Sequence, residues 1–251
     1  MPEDPRYHIR VQPGEVGGYV LLPGDRERVD RIARHLKEPR RVAENREYRT
    51  VTGTLDGTPV SVMSSGMGGP AVAIAVEELR SAGVHTILRV GTTGAVGPGP
   101  RRGDAIIATA ALRSEGASHA YIEAGYPAVA DFDVVQALRQ AAAASGQRTH
   151  LGLVESSDAY YAGRWKGEAA AERGALLQRA GVLSVEMEAA TLFVVGRLCG
   201  IRTGCILALR EEYGAQGERL QGGPEFEAGL DRVIQIAVDA VRRLIEAQRE
   251  S

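Results

Sequence analysis

The 251-residue chain contains only two cysteines, Cys199 and Cys205, which are too few and too poorly spaced for a disulfide framework or a zinc site. Nowhere do about 18 apolar residues follow one another, as a membrane-spanning helix would require. The segment Met1–Arg10 is charged and contains proline, so it lacks the apolar run of a signal peptide. We therefore expect a cytoplasmic protein with two buried thiols and no membrane partner.

An excess of charge of either sign is also missing. Lysine and arginine number 30 and aspartate and glutamate number 32, mixed throughout the chain, which gives a net charge of −2. This balance provides neither the basic face of a nucleic-acid-binding protein nor an acidic tail. We expect no nucleic-acid partner, whereas a small anionic ligand is compatible with the composition.

Apolar runs of strand length alternate with segments of helical periodicity. The predicted strands are Val20–Leu22, Tyr48–Leu55, Pro59–Ser64, Thr86–Val90, Ala105–Ala111, His150–Val154 and Thr203–Leu209. The predicted helices are Ala71–Ser81, Asp133–Ala144, Glu168–Ala180, Glu188–Cys199 and Pro224–Arg249, besides a helical pattern that begins near Val29. This order predicts an α/β fold in one domain over residues 1–251, with a central mixed β-sheet flanked by helices. Ligands of such sheets bind at the carboxyl ends of strands.

The turn Pro23-Gly24-Asp25 ends the first predicted strand, and Arg28 follows one helical turn later. The glycine lets backbone N–H groups approach an anion, and an arginine at this spacing suits phosphate. The alternative is an ordinary helix start, with Asp25 as the capping residue and Arg28 on the surface. This turn alone does not separate the two interpretations.

Arg89 ends another apolar strand and is followed by Gly91-Thr92-Thr93-Gly94. An arginine in this position is costly to bury unless it meets an anion or a carboxylate. The hydroxyl and N–H groups beside it would complete a cradle for an oxyanion. The alternative is an ion pair between Arg89 and an acidic residue of the core.

Glu186 and Glu188 lie at the junction of an apolar strand and a long apolar helix, so at least one of them should point into a region that otherwise excludes charge. A carboxylate there can accept hydrogen bonds from both hydroxyl groups of a ribose. The alternative is that Glu188 is merely an acidic residue at a helix N-terminus, which the helix dipole favours.

Together with Arg46-Glu47 and Gly66-Met67-Gly68-Gly69-Pro70, these motifs resemble, in their order, the uridine phosphorylase and hexameric purine nucleoside phosphorylase family. The similarity extends from about His8 to the C-terminal helix. The resemblance implies an enzyme that uses inorganic phosphate as co-substrate to split a nucleoside into a free base and ribose 1-phosphate, with no cofactor and no metal. It also implies a homo-oligomer, usually a ring-shaped hexamer built from dimers, with active sites between subunits.

The resemblance assigns roles to individual residues. The implied phosphate ligands are Gly24, Arg28, Arg89 and Thr92 of one subunit and Arg46 of its neighbour. The implied ribose contacts are Met67, Glu186, Met187 and Glu188, with His8 of the neighbouring subunit at the 5′-hydroxyl. The implied base contacts are Thr93, Gly94, Tyr160, Arg164, Lys166 and Arg210, with Tyr160 stacking on the base. The candidate catalytic residues are Arg89, Glu188 and Glu211.

Two stretches depart from the family's usual patterns for the base. Uridine phosphorylases usually carry Gln-x-Arg where this chain has Arg164 and Lys166, and purine phosphorylases usually carry Ser-Asp or Ser-Asn where it has Arg210-Glu211-Glu212. Glu211 is a substitute general acid if burial favours its protonated form, and otherwise a solvated charge or a partner of Arg210. The remaining motifs are closer to the uridine branch, so we expect uridine as substrate, with a purine nucleoside or an unusual base as alternatives.

Two other classes of function fit part of the pattern. A nucleosidase of related fold would use water in place of phosphate and would not need Arg28, Arg46 and Arg89 around an anion. A nucleoside-binding protein without catalysis would keep the ribose contacts and lose the chemistry at the base. If the chain is a phosphorylase, we expect Arg89→Ala to abolish phosphate-dependent cleavage and to leave the fold intact.

Overall fold

The computed structural model describes residues 6–214 and 218–250, apart from the side chains of residues 163–166. Its strands are β1 (Tyr19–Leu22), β2 (Lys37–Asn45), β3 (Tyr48–Leu55), β4 (Thr58–Met63), β5 (Thr86–Ala95), β6 (Ala105–Ser114), β7 (Ala128–Val129), β8 (Thr149–Ser157), β9 (Val182–Glu186), β10 (Arg202–Tyr213) and β11 (Arg219–Gln221). Its helices are α1 (Arg26–Ala33), α2 (Gly69–Ser81), α3 (Phe132–Ser145), α4 (Ala162–Arg179), α5 (Ala189–Leu198) and α6 (Pro224–Glu250), with a 3-10 turn at Ser118–Ala120.

These strands belong to one sheet, part of which closes on itself. β5 pairs with β10, β10 with β6, β6 with β8 and β8 with β9, and β9 returns to β5. From β5 the sheet continues through β1, β4 and β3 to β2 at the edge. Because parallel and antiparallel pairs both occur, the mixed sheet predicted from the sequence is confirmed.

Helices cover both faces of this sheet, as predicted. On one face, Ile32 of α1, Leu138 of α3 and Val233 of α6 belong to a single buried apolar cluster. On the other face, Val76 of α2 and Leu192 of α5 belong to a second cluster. Two separate apolar layers therefore hold the sheet between the helices.

Strand β5 runs between the two apolar clusters and decides where Arg89 points. Leu88 and Val90 belong to the cluster under α1, α3 and α6, whereas Ile87 belongs to the cluster under α2 and α5. Because successive side chains of a strand point to opposite faces, Arg89 lies on the same face as Ile87. Its guanidinium group therefore enters the side of the sheet on which α5 begins.

Most predicted elements are present with shifted ends. Strand β3 has the predicted bounds, and α6 buries the predicted apolar stripe. Strand β5 continues to Ala95 instead of ending at Val90, so the threonine motif is part of the strand and not a turn. Helix α4 begins at Ala162 and not at Glu168. A break at Gly167, with a φ of 50°, separates its first part from the part that the sequence predicts.

The structure adds strands to those predicted and corrects one expectation. The sequence does not predict the edge strand β2, because its side chains are mostly exposed and charged and show no apolar alternation. Cys205 is buried as expected, but Cys199 is partly exposed after the end of α5, with its Sγ atom 3.4 Å from Glu77. The expectation of two buried thiols is therefore wrong for Cys199.

Within residues 6–214 and 218–250, we find no helix that combines the length and the apolar character needed to cross a membrane.

Candidate active site

Arg89 lies in the middle of β5 with its side chain only 4% exposed. Its Nε atom donates to Glu186 Oε2 at 3.2 Å, and its Nη2 atom donates to Glu188 Oε2. The Nη1 atom is buried and has no hydrogen-bond partner among the described residues. Leaving a buried guanidinium nitrogen unpaired is costly, and an anion bound at Nη1 would remove this cost.

The strand makes room for this guanidinium group at Gly91. A Cβ atom at Gly91 would lie 2.9 Å from Arg89 Nη2 and 2.6 Å from a methyl carbon of Leu207. A larger residue would therefore displace the guanidinium group of Arg89 or the side chain of Leu207. The first glycine of the Gly91-Thr92-Thr93-Gly94 motif is thus required by close packing around Arg89.

The turn between β1 and α1 lies beside the unpaired nitrogen of Arg89. A Cβ atom on Gly24 would stand 3.9 Å from Arg89 Nη1, and Asp25 caps α1 through the N–H two residues later. Arg28 Nη1 donates to Val90 O at 3.2 Å, while its Nε is buried without a partner in the described part of the chain. Asp25 therefore caps α1, and the same turn lies beside the unpaired nitrogen of Arg89. The interpretation as a helix start and the interpretation as a place for an anion are compatible.

The charges of the two arginines respond differently to their surroundings. Burial lowers the pKa of Arg28 to about 10, although Asp25 opposes this shift and Arg89 adds to it. Burial also disfavours the charge of Arg89, but the carboxylates of Glu188 and Glu186 outweigh this effect and raise its pKa above the usual value. Both groups are cationic at neutral pH. A bound anion would offset the free-energy cost of removing the Arg28 guanidinium group from water.

Glu186, at the end of β9, holds the start of α5 in place. Its carboxylate accepts from Glu188 N at 2.9 Å, Ala189 N at 3.0 Å and Ser156 Oγ at 2.5 Å, besides Arg89 Nε. Burial raises the pKa of Glu186 to about 6, although Arg89 lowers it and Glu188 raises it further. Because protein donors surround the carboxylate, Glu186 is better suited to fixing Arg89 and α5 than to contacting a ribose.

Glu188 is buried just before α5, and its carboxylate faces a different loop. Oε1 accepts from Gly68 N at 2.7 Å, and Oε2 accepts from Met187 N at 3.2 Å. Its side chain does not cap α5, a role that Glu186 takes instead. Met67, next to Gly68, is 83% exposed. These residues lie together on one side of Arg89.

Thr92 and Thr93, which follow Arg89 on β5, differ in how accessible their hydroxyl groups are. The hydroxyl group of Thr93 is buried and donates to Val185 O of β9 at 2.7 Å, so a protein contact already engages it. Thr92 is half-buried and is the more accessible of the two. Of the two hydroxyl groups, that of Thr92 is the better placed to meet a ligand.

Further along the same edge of the sheet, Gly94 pairs with Glu211 of β10. The buried carboxylate of Glu211 accepts from Tyr160 Oη and from Arg219 Nη1, the latter at 3.2 Å. Tyr160 is 61% exposed. An accessible aromatic ring and a buried carboxylate therefore lie together at the end of the strand that carries Arg89.

Not every candidate base contact joins this group. Arg210 precedes Glu211 on β10, and its guanidinium carbon lies 5.9 Å from the ring centroid of Phe226, outside the contacts of Glu211 and Tyr160 described above. The pairing of Arg210 with Glu211 that the sequence left open is replaced by an ion pair between Glu211 and Arg219. Arg164 and Lys166 lie outside the residues whose side chains are described.

His8 and Arg46 form a second group, which Asn45 holds together. Asn45 Nδ2 donates to His8 O at 2.8 Å, and Arg46 follows in the exposed turn between β2 and β3. Glu78 of α2 accepts from His8 N at 2.9 Å and lies 2.6 Å from His8 Nδ1. Since Glu78 engages Nδ1, Nε2 is the ring nitrogen that His8 can offer to a ligand.

Sequence reasoning missed three residues of these groups. Glu78 carries a signal, because it is a buried carboxylate within the apolar stripe of α2. Ser156, which donates to Glu186, lies in a polar stretch at the end of β8 and gives no such signal. Arg219 lies in the three-residue strand β11, which is too short to show a periodicity.

No group of three or more side chains suited to a metal ion occurs in the part of the chain that the structure describes.

The sequence matches the phosphorylase superfamily over residues 19–246. This chain belongs to that superfamily. A uridine phosphorylase of Thermococcus kodakarensis is 44% identical to the phosphorylase described here, over 99% of this chain and 90% of its own length.

Further relatives agree in sequence and in shape. A guanosine phosphorylase of Halorubrum lacusprofundi is 38% identical over 95% of this chain and 94% of its own length. A solved structure of a uridine phosphorylase of Vibrio fischeri matches the phosphorylase with a TM-score of 0.86 at 31% identity, covering 95% of this chain and 96% of that one. The protein is thus a pentosyltransferase that cleaves nucleosides with phosphate, and the predicted family, fold class and enzyme class are confirmed.

Proposed function

We propose that the phosphorylase cleaves uridine, with transfer of its ribosyl group from uracil to inorganic phosphate. The observation that carries this proposal is the unpaired, buried Nη1 of Arg89, which lies beside Gly24 and on the side of the sheet that holds Glu188. Several of the relatives at 35–44% identity are uridine phosphorylases, and this supports uracil as the base.

The reaction follows from charge. An oxygen of phosphate forms a bond to C1′ of the ribose while the bond from C1′ to the base nitrogen breaks, and the electron pair of that bond leaves with the base, which then takes a proton. Positive charge develops on the ribose in the transition state, so a phosphate dianion held under C1′ stabilises it and then captures it. Fixing the two reactants against each other supplies a further part of the rate.

Each group of residues has a part in this scheme. Gly24 N–H, Arg28, Arg89 and the hydroxyl group of Thr92 would bind the phosphate. Glu188 would accept hydrogen bonds from the 2′- and 3′-hydroxyl groups, with Met67 and Met187 against the sugar. Tyr160 would stack on the base, beside Thr93 and Gly94. Glu186 would act as a positioning residue that orients Arg89 and α5.

His8 and Arg46 would complete the site from a neighbouring subunit. Both lie on one part of the protein surface, with His8 half-buried and Arg46 exposed, although Arg46 belongs to a motif that the family uses for phosphate. A homo-oligomer, a hexamer built from dimers, would bring this surface to the phosphate of the adjacent subunit. His8 Nε2 would then meet the 5′-hydroxyl group, since Glu78 engages Nδ1.

The second candidate substrate is a purine nucleoside. The guanosine phosphorylase among the relatives and the carboxylate of Glu211 at the expected base site support this alternative.

We propose that the reaction needs no cofactor, because phosphate supplies the nucleophile and the arginines supply the charge. The free thiols of Cys199 and Cys205 agree with the reducing environment of a cytoplasm.

The experiment is a measurement of free base released from uridine, thymidine, inosine, guanosine and adenosine, with and without phosphate. Release from uridine that requires phosphate supports the proposal. Release that is equal without phosphate would show a nucleosidase instead. Binding of nucleosides with no release under either condition would show a binding protein, and phosphate-dependent release from purine nucleosides alone would establish the second candidate.

A further inference from the structure

We propose that Glu211 and Arg219 together read the carbonyl and adjacent N–H group that uracil, thymine, hypoxanthine and guanine share. This inference rests on the proposed nucleoside phosphorolysis and names its substrate class, which is nucleosides whose base contains this amide edge. Adenosine and cytidine, which present an amino group and an unprotonated ring nitrogen at the same edge, would be excluded.

The position of Glu211 places it at the base. It pairs in register with Gly94, and a Cβ atom on Gly94 would lie 3.6 Å from Glu211 Oε2. Gly94 follows Thr92 on the same strand, so a ligand that extends from the phosphate site along the end of β5 reaches this carboxylate. A residue with a side chain at position 94 would cover the carboxylate from that side, whereas glycine leaves it open.

The partners of Glu211 hold its carboxylate with oxygens still able to accept. Tyr160 Oη donates to Oε1, and Arg219 Nη1 donates to Oε2 at 3.2 Å. A carboxylate has about four acceptor sites, so a third donor can be accommodated. The ring of Tyr160 is fixed through its hydroxyl group and is exposed, which suits stacking of the same base whose edge meets Glu211.

Arg219 supplies the complementary donor. Its Nη1 faces Glu211, and its Nη2 donates to Tyr213 Oη at 3.3 Å, with the guanidinium carbon 5.4 Å from the centroid of the Tyr213 ring. These contacts fix the plane of the group, and a guanidinium has five N–H donors, more than these two contacts use. An acceptor and a donor therefore stand side by side, both charged and both held by neighbours.

This pair matches one kind of base edge. In an amide edge the ring N–H donates to the carboxylate of Glu211 and the carbonyl oxygen accepts from Arg219. In adenine and cytosine the ring nitrogen has a lone pair, which would face the carboxylate, and the amino group would face the guanidinium. Both contacts would be repulsive, and a site built for a hydrogen bond strongly rejects a ligand that lacks the group.

The pair would also explain how the chain reads a base without the Gln-x-Arg motif. Glutamine and arginine in that motif offer an acceptor and a donor from a single stretch, whereas here β10 and β11 provide them from two adjacent strands. The same edge occurs in uracil and in guanine. One recognition group is thus compatible with relatives that act on uridine and on guanosine.

The experiment compares kcat/KM of the wild-type protein, with phosphate, for uridine, inosine, guanosine, cytidine, adenosine and 3-methyluridine, in which a methyl group replaces the hydrogen on N3 of uridine. We expect uridine to exceed 3-methyluridine and cytidine by roughly a hundredfold or more. Glu211→Ala should reduce the ratio of uridine to 3-methyluridine to roughly tenfold or less. Glu212→Ala is the matched control, because Glu212 is the next carboxylate on β10 and pairs with Arg102 Nε at 2.9 Å.

The outcomes separate this inference from the function on which it rests. Cleavage of cytidine, adenosine or 3-methyluridine with an efficiency similar to that of uridine would overturn the inference and leave phosphorolysis standing. An unchanged ratio in a folded Glu211→Ala variant would also overturn it. Absence of phosphate-dependent cleavage of every nucleoside would overturn the proposed function and the inference together. The wild-type comparison can overturn the inference even if the variant does not fold.

Discussion

Arg89 Nε lies 3.2 Å from Glu186 Oε2, and the side chains of both residues are almost completely buried. The sequence offered a core ion pair and an anion site as alternatives for Arg89. The structure combines them, because one edge of the guanidinium group meets Glu186 and Glu188 while Nη1 stays unpaired among the described residues. The ion pairs hold the guanidinium group in one orientation, which leaves Nη1 available for phosphate.

This arrangement changes the expectation for Arg89→Ala. The sequence predicts lost cleavage with an intact fold, but the variant would leave two buried carboxylates without their cation, and this costs about 3–5 kcal/mol of stability. We therefore expect loss of phosphorolysis together with a lower free energy of unfolding, measured by free-base release and by urea denaturation. Normal cleavage would contradict the phosphate site, and an unchanged stability would contradict the structural role of the ion pairs.

Arg28→Ala should separate phosphate binding from stability. Burial lowers the pKa of Arg28, so the fold disfavours its charge and does not depend on it. We expect the KM for phosphate to rise roughly tenfold or more, because a charge-assisted hydrogen bond is lost, with little change in the free energy of unfolding. Arg139→Ala, which removes an exposed arginine of α3, is the control. A KM for phosphate equal in both variants would exclude Arg28 from the phosphate site.

Hybrid oligomers can test whether the site is shared between subunits. If Arg46 serves the phosphate of its neighbour, a dimer of one Arg28→Ala subunit and one Arg46→Ala subunit contains one site that lacks both arginines and one that keeps both. We expect such hybrids, purified through two different tags, to be far more active than either variant alone. A hybrid of Arg28→Ala with Arg89→Lys is the control, since both changes affect the same subunit's part of the site and no intact site forms. Equal activity in both hybrids would contradict a shared site.

How much of the site could be predicted depends on whether a residue lies in a local pattern. Gly24 and Arg28 come shortly after the apolar strand β1, and Arg89 interrupts the apolar run of β5. The carboxyl ends of neighbouring strands meet at one edge of a sheet. The pairing of β1 with β5 brings these ends together, so local patterns suffice to find this group.

The ion pair of Glu211 with Arg219 depends instead on the antiparallel return of β11 against β10, and no local pattern marks that pairing. The edge strand β2 escaped prediction for a related reason, since an exposed charged strand has no apolar alternation. Whether Arg210 or Glu211 faces the end of β5 depends on strand register, since a shift by one residue exchanges the two faces. The register of β10 against β5 is irregular between Leu209 and Glu211, which sequence alone does not reveal.

The pKa of Glu186 leads to a prediction with a definite sign. Burial raises this pKa to about 6, above the ~4.3 expected in the unfolded chain, although Arg89 opposes the shift. The contribution of Glu186 to stability is therefore fully present below pH ~4.3 and is lost as the pH rises through about 6. Glu186→Gln keeps the shape of the neutral acid and cannot ionise. The difference in Tm, wild type minus Glu186→Gln, should thus fall between pH 4.5 and pH 7.

A Tm difference that rises over this range would mean that the attraction of Arg89 outweighs burial and that Glu186 is ionised in the folded protein. Glu212→Gln provides the control, because hydrogen bonds from Arg102 outweigh the effect of burial and lower the pKa of Glu212. A lowered pKa contributes stability above the unfolded value, and this contribution is lost only as the pH falls through the lowered pKa. The Tm difference, wild type minus Glu212→Gln, should therefore stay nearly constant between pH 4.5 and pH 7. A change of the Tm difference with pH that occurs only for Glu186→Gln would thus report on the burial of Glu186 beside Arg89.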